Sequence, residues 1–289
     1  MPGKDAALSD WGKKLRLNRI LGRHTRKPLV VAFDHALPLG PIHGTLNPAS
    51  QVEAFADAGV DGVLLTPGMA RLCAQSLLHP NAPSLIMRLD WSSLWTSLGT
   101  AGKLRSEMLA TPEQALISGA DGVLTYLLIG TGDVEFEARE IARNSELARE
   151  CERLGMPLIV ESLARGKATP NPTAPETLML HTRIAAELGA DLIKTEATDD
   201  PRSMAEVVRA CPVPVMILGG ARQGNDDDAL EQLRNIVKAR AAGAFIGRNV
   251  FQASDIRSFL HQACAVLGEE AEESAEASVT GNWHNRNSL

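Results

Sequence analysis

Lys194 stands where a lysine is costly. The run Gly189-Ala-Asp-Leu-Ile-Lys-Thr-Glu196 reads as a short buried strand that ends on its amine. Burying an ammonium is heavily penalised unless it is paired or gives up its proton. A lysine amine that loses its proton adds to ketones and aldehydes and forms a Schiff base. The segment alone favours a lysine whose flexible stem reaches water. Other polar strand ends shift that balance: Asp34, Thr66, Asp90, Tyr126, Glu161, Gly219-Gly220 and Gly247-Arg248. If the sixth strand stays extended, Glu196 shares a face with Lys194. Glu196 and Glu161 would then hold the proton on the lysine, while burial and a nearby cation would help remove it. Tyr126, the sole tyrosine, stands as a proton donor or as a buried ring needing a partner.

The last two strands suggest an anion site. Val215-Met-Ile-Leu-Gly219-Gly220 and Phe245-Ile-Gly247-Arg248 both end in glycine, which lets bare backbone amides approach phosphate oxygens. Arg248 adds a charge-assisted contact. One such glycine end favours a tight turn; two at these places favour phosphate.

These residues need a frame that gathers strand ends. Short apolar runs recur at Leu29–Phe33, Gly62–Leu65, Ser84–Leu89, Gly122–Leu128, Pro157–Val160, Asp191–Thr195, Pro214–Leu218 and Ala244–Gly247. Helix-like stretches lie between them, among them Pro48–Ala58, Val134–Leu154, Ala174–Leu188 and Asp227–Ala242. Related phrases such as Ser118-Gly-Ala-Asp-Gly-Val and Leu188-Gly-Ala-Asp-Leu-Ile place a helix-closing glycine before a strand. Eight such units predict an α/β fold, a (β/α)8 TIM barrel, with a doubly wound open sheet as the competitor. Ahead of the barrel, Asp10–Leu21 is expected to form a helix covering its bottom, with Leu15, Leu17, Ile20 and Leu21 apolar. The expected division is an N-terminal extension at 1–27, the barrel at 28–267, and an acidic tail at 268–289. That tail is expected to be mobile or to pack on a neighbouring subunit.

Composition narrows the function. The chain has 289 residues, 44% of them hydrophobic, and a net charge of −6, which gives no electrostatic case for nucleic acid or anionic membranes. No run approaches transmembrane length and no secretion signal opens the chain, so the expected setting is cytoplasm. The four cysteines form no close pair and read as reduced thiols. The seven histidines show no His-x-x-x-His spacing, and Asp226-Asp227-Asp228 reads as an acidic first turn of a helix, so no metal is expected. No Gly-x-Gly-x-x-Gly follows a strand, and no cofactor is expected.

The chain resembles the class I aldolases of the archaeal fructose-bisphosphate type, together with the aminodideoxyheptulosonate synthases and the thiolase that degrades phosphorylated autoinducer-2. The resemblance rests on Asp10-Trp-Gly, Arg16-Leu-Asn-Arg-Ile, Ala32-Phe-Asp-His35, Gly40-Pro41, Thr182-Arg-Ile-Ala-Ala-Glu, Ile193-Lys-Thr, Cys211-Pro-Val-Pro, Gly219-Gly220 and Gly247-Arg-Asn-Val-Phe-Gln252. It implies that Lys194 is the Schiff-base lysine and Asp34 a proton-transfer residue. Gly219, Gly220, Gly247 and Arg248 would surround the substrate phosphate. Apart from the resemblance, His35, Asp90, Arg165 and Glu196 are further candidate substrate contacts. The resemblance also implies a homo-oligomer, a pentamer or decamer. Two departures stand out. The aldolases carry an acid/base tyrosine two residues before an Arg-Gly pair, where this chain has Leu163, and the thiolase has tyrosine at Glu196. Glu161 is similar to the glutamate that ends the same strand in tagatose-bisphosphate and sulfosugar aldolases. Three functions are therefore expected in order: an aldolase acting on a phosphorylated ketose, a thiolase-like acyl transferase using coenzyme A, and a non-catalytic sugar-phosphate-binding barrel.

Overall fold

The computed structural model describes residues 4–95, 104–220 and 224–277, with side chains over 8–95, 104–220 and 224–269. In chain order the strands are β1 (Leu29–Ala32), β2 (Gly62–Leu65), β3 (Ser84–Arg88), β4 (Asp90–Ser92), β5 (Ser106–Met108), β6 (Gly122–Ile129), β7 (Leu158–Ala164), β8 (Leu192–Thr195), β9 (Val215–Leu218) and β10 (Gly243–Ile246). All but β4 and β5 pair in parallel and close in the order β1-β10-β9-β8-β7-β6-β3-β2. Closure is explicit, since β1 pairs with both β10 (Val30↔Phe245) and β2 (Val31↔Val63). The fold is a (β/α)8 barrel, and the open-sheet alternative is excluded.

The helices are α1 (Lys4–Leu21), α2 (Ala36–Leu39), α3 (Pro48–Asp57), α4 (Pro67–Leu72), α5 (Pro112–Ile117), α6 (Val134–Leu154), α7 (Pro175–Glu187), α8 (Pro201–Ala210), α9 (Asp226–Lys238), α10 (Arg248–Phe251) and α11 (Ile256–Ala277). Strands covered on both faces need apolar residues at every position, which is why these runs are continuous rather than alternating. Alternate residues still part company: Val30, Ile86, Leu124, Ile159, Leu192, Met216 and Phe245 fill the barrel. Leu29, Val31, Val63, Val123, Val160 and Ile193 pack outward in the larger core. Ile20 of α1 joins the inner cluster and plugs the bottom. Gly122 leaves room for it, because a Cβ there would meet Ile20 Cδ1 at 3.0 Å.

Several boundaries differ from the sequence reading. Helix α1 begins at Lys4 rather than Asp10, and its Leu15, expected to be covered, is 55% exposed. Helix α9 stops at Lys238 instead of Ala242, and its first turn is closed by a capping box between Asn225 and Asp228. Strands β6 and β7 stay paired up to Ile129↔Ala164, so Tyr126 and Glu161 lie within strands rather than at their ends. The antiparallel pair β4–β5 was not anticipated; with three residues in each strand it carries too little periodicity to be read. Helix α11 continues past residue 268 to Ala277, and the remainder of the expected tail, 278–289, lies outside the described residues.

Candidate active site

Register places the chemistry. Tyr126, Glu161 and Lys194 are successive partners across β6, β7 and β8, so they stand at one level. Each lies two residues beyond a side chain of the inner cluster (Leu124, Ile159 and Leu192), so alternation turns all three inward, above the apolar fill. Lys194 Nζ lies 2.8 Å from Glu161 Oε1 and 5.5 Å from the centroid of the Phe245 ring. Both charged residues are 5% exposed. The pair is the buried, partnered lysine that the cost of burial requires.

Arg88, which the sequence reading passed over, sits at the centre. It ends β3 and is buried; its Nη2 donates to Glu161 Oε2 at 2.5 Å and its Nε to Asp34. Its guanidinium lies 4.0 Å from the centroid of the Tyr126 ring. The signal was present in Ile86-Met-Arg88-Leu, a charged residue in a buried strand, which is the argument applied to Lys194. Burial would raise the Asp34 carboxyl, yet Arg88, His35 and Lys194 together hold it well below the usual carboxylate range. Glu161 behaves likewise: burial is outweighed by Lys194 and Arg88, and its pKa is lowered. The Tyr126 phenol moves the other way, raised by burial and by Glu161, Asp34 and Asp90 against the opposing Arg88, so its proton stays on. Leu163, which is buried, packs with Tyr126 and Leu128.

Asp90 is corrected. It was expected as a substrate contact, but it is fully buried behind the site, where it accepts from Tyr126 N (2.8 Å) and from Arg88 Nη1 (3.4 Å). Arg143 of α6 closes this outer layer: its Nη2 lies 3.1 Å from Asp90 Oδ2 and 2.9 Å from Glu140 Oε1, and donates to Tyr126 O at 2.8 Å. Burial raises Asp90 against Arg143 and Arg88, and pushes Glu140 up to about 7. Asp90 therefore positions Arg88 and the Tyr126 backbone.

Glu196 follows the end of β8 at Thr195 and lines the same cavity as Lys194, but it is not the partner of the lysine. Glu196 instead takes a bidentate pair from Arg165: Nη1 to Oε2 at 2.7 Å and Nη2 to Oε1 at 2.6 Å. The Trp95 ring lies over that guanidinium, 5.7 Å to its centroid.

The glycine ends of β9 and β10 border the same cavity as Lys194. Gly219, Gly220, Gly247, Arg248, His35, Asp34, Lys194, Glu161, Tyr126, Arg88, Arg165 and Glu196 line one cavity of about 200 Å³. Gly220 has φ +64, a conformation that suits glycine. Gly247 is required by space: an added Cβ would meet Ala32 O at 2.5 Å and run into the His35 ring. Arg248 has no carboxylate partner among the described residues, and its Nε is buried without a hydrogen-bond partner. Burial lowers the Arg248 guanidinium, as for a cation that has no anion beside it. His35, its Nδ1 3.6 Å from Asp34 Oδ1, is likewise lowered by burial, against the pull of Asp34. Among the described residues no group of three or more His, Cys, Asp or Glu is placed to hold a metal, and no helix is long and apolar enough to cross a membrane.

A buried lysine beside a carboxylate, opening onto the same cavity as an unpaired arginine, is the equipment of a class I aldolase, which makes or breaks carbon–carbon bonds through a Schiff base. Comparison with known proteins agrees. The chain belongs to the DeoC/LacD family of aldolases, whose match runs over residues 29–253. It is 32% identical to an uncharacterized aldolase of Saccharolobus solfataricus, over 90% of this chain and 96% of that one. It is also 32% identical to the 2-amino-3,7-dideoxy-D-threo-hept-6-ulosonate synthase of Halobacterium salinarum, over 95% and 98%. Among solved structures it is similar to an archaeal fructose-1,6-bisphosphate aldolase with its catalytic lysine covalently bound to the carbinolamine intermediate of the substrate. That likeness has a TM-score of 0.77 at 30% identity, over 88% of this chain and 98% of that one.

Proposed function

We propose that this aldolase acts on a phosphorylated ketose, with Lys194 as the Schiff-base lysine. The observation that carries the reading is the Lys194–Glu161 pair at 2.8 Å, in one cavity with Gly219, Gly220, Gly247 and the unpaired Arg248. Glu161 takes a proton from the Lys194 ammonium, and the freed amine adds to the substrate ketone. Glu161 returns that proton to the carbinolamine hydroxyl, which leaves as water; the protonated imine that remains is stabilised by Glu161 and Asp34, both again carboxylates. Cleavage then needs a base for the substrate hydroxyl proton and leaves an enamine on the lysine. Asp34 and Glu161, both held ionised, are the bases assigned to that step. Tyr126, whose phenol is held protonated and packs against Leu163, is the donor assigned to replace the missing tyrosine.

Phosphate at the β9–β10 end is supported by the glycine cradle and by the buried, unpartnered Arg248 Nε. The same reading puts the enzyme in the cytoplasm as a homo-oligomer, a pentamer or decamer; the exposed row Leu8, Trp11 and Leu15 along α1 supports a protein–protein contact, and light scattering tests it. The test of the chemistry is borohydride reduction in the presence of phosphorylated ketones, followed by intact mass and peptide mapping. An adduct on Lys194 that is lost in a folded Lys194→Met variant is expected. Mapping of the reduced carbon to another lysine, such as Lys167, overturns the assignment.

A further inference from the structure

The cations that line the described cavity are Arg88, Arg165, Lys194 and Arg248, and its carboxylates are Asp34, Glu161 and Glu196. Three of the four cations already have a carboxylate: Arg88 has Asp34 and Glu161, Lys194 has Glu161, and Arg165 has Glu196. Only Arg248 among these has none, so the described lining is equipped for one anionic group, and that group belongs at the β9–β10 end. The Arg165–Glu196 pair stands where β7 and β8 finish, next round the barrel from β9. Its geometry is tight: two parallel hydrogen bonds of 2.7 and 2.6 Å, a further one from Arg165 Nη1 to Ala164 O at 2.7 Å, and the Trp95 ring across the guanidinium.

We infer that this pair sets the substrate class. The site takes a ketose monophosphate whose far end is an uncharged, hydroxyl-bearing chain, and Glu196 is the residue that turns away a ketose bisphosphate. The inference rests on the function proposed above and adds specificity to it. A second phosphate reaching the β7–β8 rim must either displace Glu196 from a bidentate, charge-assisted pair or lie beside its negative charge. Displacement leaves a carboxylate about one-fifth exposed, at 22%, without its counter-ion. A hydroxyl meets neither obstacle, since it donates to Glu196 and accepts from Arg165 while the pair stays intact. Arg165 on its own would welcome a phosphate; with Glu196 in place its charge is already answered.

The test compares two probes that differ by one phosphate, fructose 1-phosphate and fructose 1,6-bisphosphate. It reads kcat/KM for cleavage and, independently of turnover, the half-saturating concentration for borohydride trapping on Lys194. Wild type is expected to favour the monophosphate at least roughly tenfold, the scale of one contact of about 1.4 kcal/mol. Glu196→Gln keeps the shape and removes the charge; it is expected to close that gap chiefly by improving the bisphosphate. Glu196→Ala serves if the glutamine variant does not fold, and the wild-type ratio needs no variant at all. Equal trapping and cleavage of both probes by wild type, or an unchanged ratio in a folded Glu196 variant, overturns the inference and leaves the Schiff-base reading standing. No trapping on Lys194 with any phosphorylated ketone sinks that underlying reading instead.

Discussion

Replacing Arg88 by methionine tests the electrostatic centre of the site. Arg88 bonds Asp34 and Glu161 directly and Asp90 at 3.4 Å, and all four residues are buried. With Arg88 gone, Lys194 is left to face Glu161 and Asp34 almost alone. Removing one partner of a buried ion pair costs about 3–5 kcal/mol, because the remaining charge keeps its desolvation penalty. Methionine fills most of the volume, so the loss reports charge rather than a cavity. The loss should also depend on pH, with a definite sign. In the parent, Arg88 is the largest influence holding Asp34 below the usual carboxylate range against burial. That depressed group adds stability above its unfolded pKa, and the stability is lost as pH falls through the folded value. In the variant, burial prevails and the same carboxyl rises above its unfolded value, so the folded state binds the extra proton. The deficit of Arg88→Met should therefore be greatest at neutral pH and shrink as pH falls toward about 4. Urea unfolding at several pH values measures it. A deficit under about 1 kcal/mol at pH 7, or one that does not vary with pH, would falsify the view of Arg88 as the counter-ion of the site.

Three further outcomes are expected. Asp34→Asn and Glu161→Gln should each lower turnover by about 10²–10⁴-fold, the usual range for losing a general acid or base. Glu161→Gln alone should also slow borohydride trapping, and turnover within a few-fold of the parent for both would shift the proton transfers to Tyr126 or water. Arg248→Ala should weaken phosphorylated ligands far more than their unphosphorylated analogues in calorimetry; equal losses would mean that Arg248 serves the fold. His181 of α7 is buried against Ser162, its Nδ1 2.8 Å from Ser162 Oγ and its Nε2 without a partner, and burial pushes it down to about 4. A histidine depressed from 6.5 in this way adds stability that is complete above about 6.5 and is lost as pH falls toward 4, worth about 3 kcal/mol. Thermal unfolding of His181→Leu between pH 7.5 and 5 should lack that decline; an unchanged pH profile would remove His181 from the account.

Much of the frame was legible because buried parallel strands leave local marks. Gly62–Leu65 and Val134–Leu154 were read to the residue, since an apolar run between glycine and a turn, or a long amphipathic stretch with a closing glycine, is a property of neighbouring residues. Lys194, Asp34 and Arg248 were legible for a related reason: a charge at the end of an apolar strand conflicts with its surroundings. Arg88 carried the same mark and was overlooked. The length of β7 was not legible, because its later pairs with β6 depend on a partner strand rather than on its own sequence.

Sequence alone placed eight strand–helix units and put a lysine, two glycine ends and an arginine at the ends of strands, because burial and turn chemistry are written residue by residue; closure of the barrel came only with the strand pairing. Which carboxylate meets which cation was decided only in three dimensions. Register brought Glu161, not Glu196, to Lys194, and Glu196 paired with Arg165 from the neighbouring strand end. Asp90, polar and at a strand end like the others, went behind the site to hold Arg88 and the Tyr126 backbone. Such pairings depend on differences of an ångström between residues tens of positions apart, and only the closed barrel sets those distances.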